Sequence, residues 1–145
     1  MASVHFRPPV EFAADFETAS PPARPLRILC AEDHEQMGLL TKLVLEREGH
    51  YVEHVYDGQE ALDRVRLNPA FFDLILTDHR MPCLSGLDLA RHVRQANYRG
   101  AIIVHSSCVS EHEESAYRDH GVTTILRKPA TVNQIVAAVN RVQPC

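Results

Sequence analysis

The chain has 145 residues, of which 45% are hydrophobic and 23% are charged, and these values are typical of one globular domain. Its net charge of −4 offers no basic surface for nucleic acid or for an anionic membrane, so we expect neither as a partner. No apolar run approaches the roughly 18 residues of a membrane-spanning helix. The N-terminus lacks the pattern of a secretion signal, and we expect a cytoplasmic protein.

Residues 1–25 differ in composition from the rest of the chain and contain five of its nine prolines. They show no sustained helical or strand period, which predicts a flexible Pro-rich leader or linker. The folded domain is then expected to run from residue 26 to residue 143.

From residue 26 onward, short apolar runs alternate with segments of helical periodicity. Strands are predicted at 26–31, 51–56, 72–77, 101–106 and 122–127, with a helix after each of them. The second strand is the more polar and is expected near an edge, whereas the third is almost wholly apolar and is expected to be covered on both faces.

Two of the predicted helices have a clear apolar face. In the first helix this face is marked by Met37, Leu40, Leu43 and Val44. In the last helix it is marked by Val132, Ile135, Val136 and Val139. Five strands alternating with five helices predict an α/β fold, a doubly wound parallel sheet with helices on both faces.

Such sheets carry their functional groups outside the carboxyl ends of the strands. The polar residues that follow or end the first, third, fourth and fifth strands are Glu32, Asp33, Asp78, Ser106, Ser107 and Lys128. Three carboxylates at one edge repel one another unless a cation neutralises them, and oxygen ligands of this kind suit Mg²⁺. A metal ion, a lysine and a hydroxyl around one carboxylate are what phosphoryl transfer to Asp78 would require.

Five segments, in this order along the chain, resemble the receiver domain of two-component response regulators, a family that includes chemotaxis regulators. They are RILCAED, DGQEAL, DLILTDHRMPCLSG, IIVHSS and LRKP. The resemblance covers residues 26 to about 142. It implies a flavodoxin-like sheet with the strand order 2-1-3-4-5.

The resemblance also implies residue roles. Asp78 would accept a phosphoryl group from a phosphohistidine, and Lys128 would pair with Asp78 or with its phosphate. The implied ligands of the Mg²⁺ cofactor are Glu32 (largely through water), Asp33, Asp78 and the backbone carbonyl of Arg80. Ser106 would be the switch hydroxyl, with the small Ser107 beside the phosphoryl group. The bond before Pro129 would be cis.

The sequence departs from the family pattern in the fifth strand, where Ile125 stands in place of the usual switch aromatic. The usual paired rearrangement of hydroxyl and aromatic residues cannot then operate in its ordinary form. Arg80 and Cys108, each two residues beyond Asp78 or Ser106, flank the route of attacking water. We expect the long Arg80 side chain to slow loss of the phosphoryl group.

Three histidines lie close to the predicted site in sequence, but we do not expect them to bind metal. His34 and His79 are interpreted as solvent-facing loop residues, and His105 as a residue within the fourth strand. A haloacid dehalogenase-type phosphatase is disfavoured because it needs an acid at the position of Arg80.

The predicted function is a phosphoacceptor in a two-component phosphorelay that catalyses its own phosphorylation and dephosphorylation. The expected partners are a sensor histidine kinase or histidine phosphotransfer protein and a downstream protein, with the domain a monomer or weak dimer. We expect no output domain, because little sequence follows residue 142. Two alternatives stay open, namely an interaction module that is never phosphorylated and the detached receiver of a hybrid histidine kinase.

Overall fold

The computed structural model describes residues 25–144 of the chain. The predicted leader, residues 1–25, lies outside this range except for Pro25. Strands and helices alternate through the whole described part, as the sequence predicts. The strands are β1 (Arg27–Ala31), β2 (Tyr51–Val55), β3 (Leu74–Thr77), β4 (Ala101–Ser106) and β5 (Thr124–Arg127). The helices are α1 (Glu35–Arg47), α2 (Gly58–Leu67), α3 (Gly86–Gln95), α4 (Glu111–Asp119) and α5 (Val132–Asn140).

All five strands pair in parallel in the order β2-β1-β3-β4-β5. This order confirms the predicted flavodoxin-like fold. The polar β2 lies at one edge of the sheet, and every residue of the central β3 is buried. Both features agree with the sequence, because a strand covered on two faces is almost wholly apolar.

The helices cover both faces of the sheet and create two separate hydrophobic cores. One core contains buried residues of α2, α3 and α4, including Leu62, Leu89 and Tyr117. The other contains buried residues of α1 and α5, including Leu45 and Val139. Strand β3 contributes side chains to both cores, so the sheet is packed on both of its faces. The polar residues lie at the C-terminal edge of the sheet, outside the two cores.

The face of α1 that packs on the sheet differs from the one expected. Leu40 and Leu43 are half exposed, at 50% and 55%, whereas Gly38 and Leu45 are buried. A methyl group at Gly38 would overlap the ring of His54, so this glycine allows α1 to approach β2 closely. The close approach turns the glycine toward the sheet and the leucines outward.

In α5, Ile135, Val136 and Val139 are buried as expected, but Val132 is 46% exposed. Val132 is the first residue of the helix and lines one cavity together with Ile135 of α5 and Leu40 of α1, so it lies on the predicted apolar face but is only half covered. Between residues 25 and 144, no helix has both the length and the apolar character that crossing a membrane requires.

Candidate functional site

The predicted site residues come from four loops or strand ends at one edge of the sheet. Glu32 and Asp33 follow β1, Asp78 follows β3, Ser106 ends β4 and Lys128 follows β5. Parallel strands end on the same side, and the order of the sheet makes β1, β3, β4 and β5 consecutive neighbours. The topology therefore brings together residues that are far apart in sequence.

Three carboxylates form a cluster at this edge. One ligand oxygen from each of Glu32, Asp33 and Asp78 lies within 4.8 Å of the others. Asp33 is exposed, while the side chains of Glu32 and Asp78 are only 9% and 13% exposed. A compact, partly open set of hard oxygen donors fits Mg²⁺, which keeps several waters and takes few protein carboxylates.

Lys128 supplies the positive charge of the site. Its Nζ donates to Glu32 Oε1 and to Asp78 Oδ2, both at 3.0 Å. Burial alone would lower the pKa of Lys128, but the hydrogen bonds and charges of Glu32 and Asp78 outweigh it and raise the pKa overall. The ammonium group therefore stays charged and offsets the repulsion between the two carboxylates.

Main-chain hydrogen bonds fix the strand ends that carry these side chains. The Asp78 N–H donates to the carbonyl of Ala31, and the Lys128 N–H donates to the carbonyl of Ser106, each at 3.0 Å. Both bonds extend the pairing of the sheet by one residue beyond the strands. The backbones of Asp78 and Lys128 are thus held by the same hydrogen-bonding pattern as the strands that precede them.

The remaining predicted residues surround this centre. Ser106 is 3% exposed, and its Oγ accepts a 3.4 Å hydrogen bond from the N–H of Cys108. Ser107 is exposed in the loop after β4, and Arg80 is exposed in the loop after β3. The Lys128–Pro129 peptide bond is cis.

Ile125 lies in β5, where it is partly buried and packs against the core that contains α4. It pairs in register with Val104 of β4. An aliphatic side chain at this position has neither the ring nor the hydroxyl of the usual aromatic switch.

The interpretation of His79 as a solvent-facing residue is wrong. His79 is 6% exposed and both of its ring nitrogens have partners in α4, namely Tyr117 and Glu113. The partners are 38 and 34 positions away, so local sequence around His79 carries no sign of them. The sequence feature that could have indicated such a contact is the polar helix α4. Its single large apolar residue, Tyr117, gives it little apolar surface to bury, so polar contacts must help to hold it.

The other two histidines lie as expected. His34 is exposed at the start of α1, where its Nδ1 accepts a hydrogen bond from the N–H of Met37. His105 is buried within β4, and burial lowers its pKa, with the charge of Lys128 acting in the same direction. Within the described chain, the carboxylate cluster contains no histidine.

Cys30 is a buried residue of β1 two positions before Glu32. Burial, together with the charge of Glu32, raises the pKa of its thiol to about 12. The thiol therefore stays protonated at neutral pH and is not a nucleophile there.

The family model described as the response regulator receiver domain matches residues 28–140. This match covers most of the chain, and it contains every element from β1 to α5. The chain belongs to the response regulator receiver domain family. It is therefore a receiver domain of two-component signalling, and receiver domains generally bind Mg²⁺ at an acidic pocket.

Individual relatives agree with this assignment. The response regulator ArlR of Staphylococcus aureus is 28% identical over 116 residues, which are 80% of this chain and 52% of that protein. The receiver chain thus spans about half the length of the curated relatives that it matches. Among solved structures, the Vibrio cholerae chemotaxis protein CheY4 is 27% identical with a TM-score of 0.74, covering 81% of this chain and 98% of its own. The receiver domain of Francisella response regulator 1452 is 27% identical with a TM-score of 0.73, covering 80% and 94%.

Proposed function

We propose that this receiver domain accepts a phosphoryl group on Asp78 from a phosphohistidine of a histidine kinase or a histidine phosphotransfer protein. The observation that carries the proposal is the position of Lys128 Nζ, 3.0 Å from both Glu32 and Asp78 beside the carboxylate cluster. A carboxylate held by a lysine at the solvent edge of a core is suitably positioned to act as a nucleophile.

In the transfer step, a carboxylate oxygen of Asp78 forms a bond to phosphorus while the bond from phosphorus to the donor imidazole nitrogen breaks. The electron pair of that bond stays on the imidazole. In the proposed step Lys128 contacts the transferred group, and Ser106 and Ser107 supply hydroxyls from the end of β4 and the loop after it. We propose that Ser106 is the hydroxyl that turns toward the phosphate after transfer.

The proposed Mg²⁺ ligands are Asp33, Asp78 and the backbone carbonyl of Arg80, with Glu32 acting largely through water. When bound, the ion would neutralise charge on the phosphoryl oxygens. Glu32 already shares Lys128 with Asp78, so its charge is partly satisfied without the ion. Among the described residues no lysine pairs with the exposed Asp33, which is therefore the stronger candidate for a direct ligand.

Receiver domains interact with histidine kinases or phosphotransfer proteins, and an apolar surface beside the site suits such a partner. This α1–α5 apolar surface consists of Leu39, Leu40, Leu43 and Val132, which are between 46% and 55% exposed. Leu40 and Val132 line the same cavity, and their helices begin two residues after Asp33 and four residues after Lys128. We propose that this surface binds a helix of the phosphodonor, because exposed apolar patches next to a reactive site mark interaction surfaces.

The test is phosphorylation with acetyl phosphate and Mg²⁺, followed by intact mass. We expect an adduct of about 80 Da on the wild type and none on Asp78→Asn. Asp63→Asn, the same change on an exposed acid of α2, should acquire the adduct normally. A wild type without an adduct, or an undiminished adduct on Asp78→Asn, would refute the proposal.

The alternative is an interaction module that keeps the fold and is never phosphorylated. Ile125 is the observation that favours it, because the residue removes the family's usual aromatic switch from β5. The absence of an adduct in the same experiment would support this alternative. A downstream protein partner and a cytoplasmic location stay predictions, and the detached receiver of a hybrid histidine kinase stays an open alternative.

A further inference from the structure

His79 follows Asp78 directly, and its main chain contacts two parts of the site. Its N–H donates to Asp78 Oδ1 at 2.7 Å, and its carbonyl accepts a 2.7 Å hydrogen bond from the N–H of Gly86, the first residue of α3. A methyl group at Gly86 would overlap the Asp78 carbonyl oxygen, so α3 begins as close to this loop as a helix can. The backbone of His79 is therefore fixed to the acceptor carboxylate.

The side chain of His79 points to the other side, into the contact with α4. Its Nδ1 lies 2.5 Å from Tyr117 Oη, and its Nε2 lies 2.9 Å from Glu113 Oε2. Both ring nitrogens are satisfied by one helix. We call these three residues, His79, Glu113 and Tyr117, the His79 link.

The groups in the His79 link have complementary hydrogen-bonding roles. Burial raises the pKa of Tyr117 far above its ordinary value, so the phenol keeps its proton and can donate to Nδ1. The other ring nitrogen then carries the proton that is donated to Glu113. The backbone of Ser110 and the ring of His79 lower the pKa of Glu113, which keeps that carboxyl charged as an acceptor.

Among the described residues, the one ion pair of helix α4 outside the His79 link joins Glu114 to the exposed Arg127 across 3.9 Å, a long contact that holds the helix only weakly. Of its nine residues, all within the described range, only Tyr117 is buried. Glu113 Oε1 also accepts the N–H of Ser110 at 2.9 Å in a capping box, so one carboxylate both caps the helix and holds His79. The first two turns of α4 are thus attached to the loop of the acceptor through a single imidazole.

We propose that His79 is a positioning residue that couples the state of Asp78 to the position of α4. The inference rests on the proposed function, because it needs Asp78 to be phosphorylated. Phosphorylation changes the carboxylate that accepts the His79 N–H, and a shift of this backbone reaches Glu113 and Tyr117 through the ring. With Ile125 in β5, this route takes the place of the aromatic switch.

Hydrogen exchange of residues 110–119 tests the coupling when it is measured by mass spectrometry with and without acetyl phosphate and Mg²⁺. In the wild type, phosphorylation should change the exchange rate of α4 amides by about fivefold, the equivalent of one ordinary hydrogen bond. Tyr117→Phe removes one hydroxyl and keeps the ring, and His79→Leu removes both polar contacts. Both variants should acquire the adduct and lose most of the α4 response.

Glu111→Gln is the matched control, since it changes an exposed acid in the first turn of the same helix outside the His79 link. It should respond as the wild type does. An α4 that responds equally in the wild type, Tyr117→Phe and His79→Leu overturns the inference, and so does an unresponsive α4 in a fully phosphorylated wild type. Intact mass separates these outcomes from a wild type without an adduct, which overturns the proposed function and the inference with it.

Discussion

Arg80 is an exposed residue two positions beyond Asp78, in the loop between β3 and α3. Hydrolysis of an aspartyl phosphate needs a water in line with the bond that breaks, and a long side chain beside the phosphoryl group excludes that water. We therefore expect the adduct on Arg80→Ala to decay several-fold faster than on the wild type. The measurement is intact mass at intervals after acetyl phosphate has been removed.

The control for Arg80 is Arg91→Ala, which removes an exposed arginine from α3 that pairs with Asp88 on its own helix. This variant should lose its adduct at the wild-type rate. If Arg80→Ala and the wild type decay equally, the shielding role of Arg80 is wrong.

The single residues of the site differ in how far the sequence could predict them. Asp78 and Lys128 were predictable because each directly follows a predicted strand, and the topology of a parallel sheet then determines where they meet. The burial of His79 was not predictable in this way. The burial of His79 depends on a helix that is more than 30 positions away in the chain, whereas the residues next to His79 form a charged loop that by itself suggests exposure.

Among the helices, α1 shows how periodicity can identify an element without orienting it. The apolar residues of α1 occur on more than one side, so a helical wheel alone does not say which side packs. Gly38 decides the matter, because its lack of a side chain leaves room for the ring of His54. The sequence predicted the helix correctly and its packed face only in part.

The exposed leucines of α1 lead to a prediction about partner specificity. Leu40→Glu should slow phosphotransfer from a histidine kinase by about tenfold, since a tenfold change corresponds to about 1.4 kcal/mol of lost contact energy. The rate with acetyl phosphate should be unchanged, because this small donor needs no docking surface. The measurement compares the phosphorylation rates of Leu40→Glu and the wild type with each donor. The kinase used is the one, among the histidine kinases of the source organism, that phosphorylates the wild type fastest.

Leu67→Glu is a matched control for Leu40→Glu. Leu67 is 77% exposed and ends α2, which packs on the opposite face of the sheet. This variant should accept phosphoryl groups from both donors at wild-type rates. Equal kinase rates for Leu40→Glu and the wild type would exclude the α1–α5 apolar surface as the docking surface.

For the molecule as a whole, alternation of strands and helices was enough to predict the architecture. The edge position of β2 and the burial of β3 also followed from their composition, since exposure on a sheet is directly reflected in polarity. The sequence predicted that a core would form on each face of the sheet, but not which helices would contribute to each core. Which helix belongs to which face depends on the handedness of the crossovers and the strand order.

His50 predicts how the stability of the whole domain depends on pH. It is a buried residue after α1, where its Nδ1 accepts a 3.0 Å hydrogen bond from the N–H of Leu26. Burial lowers its pKa, against smaller opposing effects of Asn140 and Glu48. A group with a lowered folded-state pKa binds its proton more readily when unfolded. The contribution of neutral His50 to the free energy of unfolding is therefore complete above the unfolded-state pKa of about 6.5, and it is lost as the pH falls through the folded-state pKa.

We expect the wild type to become less stable as the pH falls from 7.5 to 5. The measurement is the urea concentration at the midpoint of unfolding. For one titrating group the slope cannot exceed about 1.4 kcal/mol per pH unit. His50→Asn keeps an acceptor for the N–H of Leu26 and removes the titration, so its loss over the same range should be smaller. If the unfolding midpoints of His50→Asn and the wild type change with pH in parallel, His50 is not the group responsible for the pH dependence.

Lys128 and Glu32, which share a hydrogen bond in the site, are 96 positions apart in the chain. The acceptor is consequently incomplete until the last strand has joined the sheet. A chain still being synthesised, or one that has lost its C-terminal part, has Asp78 but lacks the lysine that holds it. If Asp78 is the phosphoacceptor, as proposed, its competence is reached only together with the native state, because the lysine beside it arrives with the last strand.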